Sequence, residues 1–543
     1  MDTSRPYPAL EVPIDVSSNS SIESPDHGYH ICTQVDDSRA YHGFINNTMD
    51  DLAAQGAVGE KNLSTKDLVG DAFIYEPSIC PSPVTARTPT NITFSIFAPY
   101  IKLFLEYLYP IMPVFDRNIL LADLTFRIDD PSLLSLEEMA LFSALSAAVI
   151  VQLNIIAEDE NATPKGSPLD FDGAKDPTKM GTTAESFISQ CLSVRQRSNF
   201  IDSPTINWLL TSFFLFDYYG NLQEHTTAWY YLREAMGLAL ELRLDVEELY
   251  RTEEPSESQR RKRIFWLLFI TERGYALQRR RTVSLQPSIS LPLIFDSENP
   301  RLLYGFVSLI SLFKFVDRRF SHMCGNDSLS SSDGQPVEDA DELSSWIVSF
   351  QENISRVSVP LPESIETQRV DIMVTRAWLH TVAWQLSVRL GLLTTCGDAK
   401  SNNVLHLRYP FVLAKELVTV ISGTQAKSLE FHGDGMEQKI SQIAMCLADV
   451  MACICNELEP DPNGRRTGES YLRVFLGLLS KFRGRRSSYL DSILTKALPF
   501  ISDTPCNQPS ILKEASATSQ GKYPEDKSST PPHDDTSVEY LLL

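Results

Sequence analysis

Residues 258–286 read SQRRKRIFWLLFITERGYALQRRRTVSLQ. Set on a helix, Phe265, Trp266, Phe269, Ile270 and Arg273 recur at spacings of one, three and four, which aligns an apolar stripe along one face. The charges gather at its two ends: Arg260, Arg261, Lys262 and Arg263 before the stripe, Arg279, Arg280 and Arg281 after it. A helix with this much aromatic surface is stable in water only when other helices cover it. The fold is therefore constrained by what else in the chain can supply that cover.

Helical patterns surround it. The run FSIFAPYIKLFLEYLYPIMPVF, capped near Asn91 or Thr93, predicts a bulky amphipathic helix closed by Pro110 and Pro113. A helix over 134–156 has Ser135 as its cap and Glu137 and Glu138 in its first turn. Further helices are predicted over 184–197, 205–219, 228–244, 343–357, 370–393, 404–422, 436–458 and 469–482. No run of alternating β-branched residues competes with them. The expected fold is all-α, a large irregular helical bundle over 91–503. Residues 1–90 carry 13 acidic against 5 basic residues and no periodicity, which predicts a disordered acidic leader. Three other segments lack the pattern: a Gly/Pro/Asp-rich loop at 158–181, a mobile acidic Ser-rich loop at 322–341, and a disordered tail at 504–543.

Charge and cysteine usage narrow the function. A formal charge of −22 disfavours unaided binding to a phosphate backbone. No apolar run approaches the roughly 20 residues that cross a bilayer, so no membrane association is expected. The nine cysteines are scattered and odd in number, which suits reduced buried thiols in an intracellular protein. The sequence contains no G-x-S-x-G, H-E-x-x-H, G-x-x-x-x-G-K-[ST] or G-x-G-x-x-G, and the expectation is that the chain is not an enzyme.

The pattern formed by Arg261, Lys262, Phe265, Trp266, Phe269, Glu272 and Arg273, leading into a basic loop, resembles the signature of the middle homology region of fungal zinc-cluster transcription factors. Residues 275–279, Tyr-Ala-Leu-Gln-Arg, resemble the variant found in activators of maltose and starch utilisation. The phrase Tyr109-Pro-Ile-Met-Pro-Val-Phe115 resembles the opening of that region, and the aromatic helix at 228–244 its approach to the Arg-rich helix. The resemblance is most specific over 228–286. One departure is Thr282, where the family loop carries proline.

The resemblance implies a nuclear transcription regulator, in charge of sugar utilisation or a biosynthetic gene cluster. It also implies zinc held by six cysteines near the N-terminus, yet the first ninety residues contain only Cys32 and Cys80. No cofactor is therefore expected in this sequence. DNA contact falls to a homo- or heterodimeric DNA-binding partner or co-regulator, or to a cluster encoded upstream. The alternative is a helical scaffold or small-molecule-binding protein with no transcriptional role. For ligand sensing or an interface, the residues singled out are Trp266, Arg273, Tyr275 and Arg279, with Arg273 paired to an acid across the bundle and Glu272 facing the basic loop. Arg260, Arg261, Lys262 and Arg263 read either as a nuclear-localisation or phosphate-contacting patch or as a solvated helix start beside acids such as Glu253 and Glu257.

Overall fold

A computed structural model describes residues 93–501 apart from the segments 128–133, 156–182, 294–299, 326–338, 360–364, 395–403, 456–461 and 485–486. The leader at 1–90, the loop at 158–181 and the tail at 504–543 lie outside the described residues. Among these residues the structure is helical, with one isolated bridge between Thr394 and His406 and no strand.

The chain enters through a 3-10 turn at Phe94–Ile96, then α1 (Ala98–Leu103), which widens into a π turn at Phe104–Leu108 where the Tyr109 amide donates to the Phe104 carbonyl. A short α2 (Arg117–Phe126) is capped by the Asp116 carboxylate. Next come α3 (Leu136–Gln152), α4 (Ala184–Gln196), α5 (Ile206–Asn221) and α6 (His225–Glu241). Ser135 and Glu138 form a reciprocal capping box on α3, and the Thr183 and Thr205 hydroxyls cap α4 and α5. Helices α3 to α6 pack on one another as the first half of the molecule.

The signature residues form α7 (Pro255–Gln278), begun by Pro255 and capped by the Glu254 carboxylate. The second half follows: α8 (Pro300–Phe313), α9 (Arg318–Gly325), α10 (Ala340–Arg356), α11 (Glu366–Arg389), α12 (Tyr409–Ser422), α13 (Ala426–Glu430), α14 (Asp434–Cys455), α15 (Pro462–Leu479) and α16 (Leu490–Ile501). Its centre is the pair α11 and α14, with α10, α12, α15 and α16 around it. Helix α7 touches α6 on one side and α8 and α9 on the other, so the predicted aromatic stripe is covered from both halves. A large contiguous apolar core runs from Phe94 to Phe500, with a smaller separate cluster around Trp384 and Tyr409.

Helix α11 is buried on almost every face although it carries Asp371, Thr375, His380, Thr381 and Gln385. Such groups stay inside only with partners. Thr381 donates to the Ala377 carbonyl, the Trp378 indole to Gln442 (2.7 Å), and Gln442 in turn to Gln385 (2.8 Å).

The predicted loop at 322–341 is corrected at both ends. Residues 322–325 finish α9, where the Ser321 hydroxyl donates to the Arg281 carbonyl, and Asp339 caps α10. The rest of that segment lies outside the described residues.

Candidate functional site

Helix α7 holds its own following loop. Glu272, wholly buried, accepts from the Ser284 amide (2.6 Å), the Ser284 hydroxyl (2.7 Å) and the Leu285 amide (3.0 Å). Its neighbour Arg273 donates Nε to the Val316 carbonyl (2.9 Å) and Nη2 to the Leu285 carbonyl (2.8 Å). The guanidinium also lies 3.4 Å from the centre of the Phe269 ring. Burial pulls the Arg273 pKa down to about 10, against the opposing pull of Glu272 and Asp317, so it stays charged at neutral pH.

The sequence-based pairing of Arg273 is thus corrected. Arg273 meets backbone carbonyls and the adjacent Glu272, not an acid across the bundle. Glu272 faces the loop after α7 as expected, and holds it by the Ser284 and Leu285 amides. Trp266 is fully buried, with its indole N–H on the Ser290 carbonyl (3.1 Å), and serves the core.

The basic run at the start of α7 is not an exposed patch. Arg260 and Arg261 bond Glu257 at 3.0 and 2.9 Å, and Arg261 also bonds Glu253. Lys262, 6% exposed, bonds Glu247 at 2.9 Å, and Arg263 is 4% exposed. Arg260 Nε donates to the Val114 carbonyl (3.1 Å), which ties the Tyr109–Phe115 phrase to the signature helix. Spacing alone could not tell an exposed run from one neutralised by the acids of the preceding turn and cap.

Beside α7 the two halves line a partly open cavity of about 190 Å³. Its apolar wall comes from Phe213 and Phe216 on α5, Leu267 and Ile270 on α7, and Phe313 on α8. Its polar wall comes from Gln152, Asp217, Asn221, Gln278, Asp371, His432, Asp434 and Lys439. Tyr275 borders it, giving its hydroxyl hydrogen to the His225 carbonyl (3.1 Å) and stacking on Trp229. Arg279 stands just behind, 3.7 Å from Asp434. Trp266 and Arg273 do not line it. Of the four residues singled out in the sequence, one borders the cavity and one supports its wall.

Two tight contacts close the polar wall. The Asn221 side chain donates to the Asp217 carbonyl and Oδ1 (2.9 and 3.1 Å) and accepts from the Asp434 amide (3.1 Å) and Arg483 Nη1 (3.3 Å). Gly433 permits this approach. Its φ is +67°, and a Cβ there would lie 2.1 Å from Asn221 Oδ1. On the other side Lys439 Nζ binds Asp371 Oδ1 (3.2 Å) and Thr375 Oγ1 (2.7 Å). Burial alone would raise the Asp371 carboxyl, but Lys439, with His432 and Thr375, holds it below its ordinary value.

Asp217 behaves oppositely. Burial pushes its carboxyl from 3.8 to about 7, and Arg483 and Asn221 offset only part of that. A carboxyl whose folded-state pKa is raised contributes stability that is full below the unfolded value and is lost as pH rises through the folded one. The window here runs from 3.8 to about 7. The isosteric Asp217→Asn variant lacks this proton linkage, so its urea midpoint relative to the native chain is expected to climb across that window. An unchanging difference would mean that the carboxyl is solvated in the folded state.

Among the described residues, no three His, Cys, Asp or Glu side chains gather as a metal-binding group, and no helix is long and apolar enough to cross a membrane.

Residues 101–350, which span α1 to α10 and contain the whole of α7, match the fungal specific transcription factor domain. The chain is 27% identical over 389 residues to the probable sucrose utilization protein SUC1 of Candida albicans, covering 71% of this chain and 68% of that protein. It is 25% identical over 273 residues to the maltose fermentation regulatory protein MAL63 of Saccharomyces cerevisiae, covering 50% of this chain and 54% of that protein. Against the respiratory transcription factor ZNF1 of the same yeast it is 24% identical over 374 residues, 67% of this chain and 71% of that one. The chain thus carries a fungal specific transcription factor domain and is a homologue of the maltose and sucrose utilisation regulators.

Proposed function

We propose that the chain is a nuclear transcription regulator of carbohydrate-use genes that acts through its helical region and not as an enzyme. The observation that carries this reading is the match over 101–350, together with relatives named for sucrose utilisation, maltose fermentation and respiratory transcription. The geometry is consistent with a structural role for the signature: Glu272 and Arg273 hold the loop after α7 and tie it to the Val316 turn between α8 and α9. The basic residues of α7 are paired with neighbouring acids, and the chain's charge of −22 opposes phosphate. DNA contact is accordingly assigned to a partner chain, or to a zinc cluster outside this sequence.

The test is a fusion of the chain to a foreign DNA-binding domain over a reporter, in cells grown with and without disaccharide. At least a fivefold change in reporter output that depends on the fused chain is expected, with a fluorescent tag in the nucleus. A silent reporter and a tag confined to the cytoplasm would favour a helical ligand-binding protein, for which the cavity beside α7 is the supporting observation.

A further inference from the structure

We infer that the cavity between α5, α7 and the start of α14 binds a small neutral polyhydroxylated molecule and discriminates against its phosphorylated form. The choice of sugars as probes rests on the regulator reading above; the site itself rests on geometry.

The volume, about 190 Å³, is an order of magnitude above what one water needs. The site pairs aromatic faces with hydrogen-bonding groups, the combination that a sugar ring requires: C–H faces against rings, hydroxyls against acceptors. Two acceptors on its border, Asp217 Oδ2 and Gln152 Oε1, are buried with no hydrogen-bond partner among the described residues. An unmet buried acceptor is costly, so a ligand that donates hydroxyl hydrogens is favoured.

Charge excludes the alternatives. Three carboxylates line the cavity, Asp217, Asp371 and Asp434, against one lysine. That lysine is committed to Asp371 and Thr375, and Arg279 stands behind Asp434. Among the lining residues no cation is left to take a phosphate. An ammonium ligand would suit a fully ionised Asp217, but burial raises that carboxyl to about 7, so about half of it is protonated at neutral pH and can both give and accept a hydrogen bond as hydroxyls demand.

The experiment is titration calorimetry on the full chain with maltose, sucrose, glucose 6-phosphate and spermidine. It is repeated for Asp217→Asn, which exchanges the buried acceptor for an amide, and for Gly435→Leu. Gly435 borders the cavity in the first turn of α14, and a Cβ there would meet no heavy atom within 4 Å, so the larger side chain is tolerated while taking up space. Tyr230→Ala, on an exposed side chain of α6, is the control. Saturable binding of at least one neutral sugar is expected, at least tenfold weaker in both cavity variants, unmoved in the control, and at least tenfold weaker for glucose 6-phosphate. The inference is overturned by no saturable binding of either neutral sugar, by binding indifferent to both cavity variants, or by preference for the phosphate or for spermidine. The two readings fail separately. Sugar binding with a silent reporter removes the regulator and keeps the site, whereas a responsive reporter without sugar binding does the reverse.

Discussion

Glu272→Ala is expected to cost about 3–5 kcal/mol of folding free energy, the usual penalty for removing one partner from a buried charged network. The variant leaves the Ser284 and Leu285 amides without their acceptor and Arg273 without its adjacent counter-charge. A domain of ordinary stability has about 5–15 kcal/mol in total, so from about a fifth to all of it would be lost. Glu272→Gln keeps one carbonyl acceptor and should lose less. Urea unfolding followed by circular dichroism measures both, with limited proteolysis reporting whether the loop at 279–290 opens first. If Glu272→Ala unfolds at the native midpoint with the loop intact, the clamp contributes nothing to the fold, and the signature acid must act elsewhere.

The helical class and most helix positions were legible because long amphipathic or wholly apolar stretches carry their own periodicity. Helix α7 shows this well: its aromatic stripe and the arginines after it are local signals. What escaped notice was shorter or less regular. Helix α9 has eight residues, too few for a periodic signal, and Ser321 and its packing on α7 tie it into the fold. Helix α8 opens on Pro300 directly after a Pro- and Ser-rich stretch, and α16 contains Pro499, so both are hidden by residues that usually mark breaks.

The site was only half visible. Asp217 and Asn221 stand four residues apart inside an otherwise aromatic run, FFLFDYYGN, and a polar pair on one face of a buried helix was the available signal. Its partners are unpredictable from spacing. Asp434, Gly433 and Arg483 come from the far end of the chain and meet Asn221 only because α14 crosses α5 in the folded molecule. Trp266 and Arg273 drew attention by their motif, but motif strength here measured structural necessity.

Trp266→Ala tests that last distinction. The side chain is fully buried, edge-on to Phe265 and Phe269 with centroids 5.7 and 4.9 Å away, and its indole N–H is the donor to the Ser290 carbonyl. Truncation should cost about 3–5 kcal/mol for the void. The orphaned carbonyl adds about 1–3 kcal/mol unless water reaches it. Trp266→Phe, which keeps a ring but not the donor, should retain more than half of the loss-sensitive stability. Because Trp266 does not line the cavity, the folded fraction of either variant, measured at low temperature, should bind the neutral sugar within about threefold of the native chain. That split separates a core residue from a ligand residue. An unchanged unfolding midpoint together with lost sugar affinity would place Trp266 in the binding machinery after all and move the site along α7 toward Ser290.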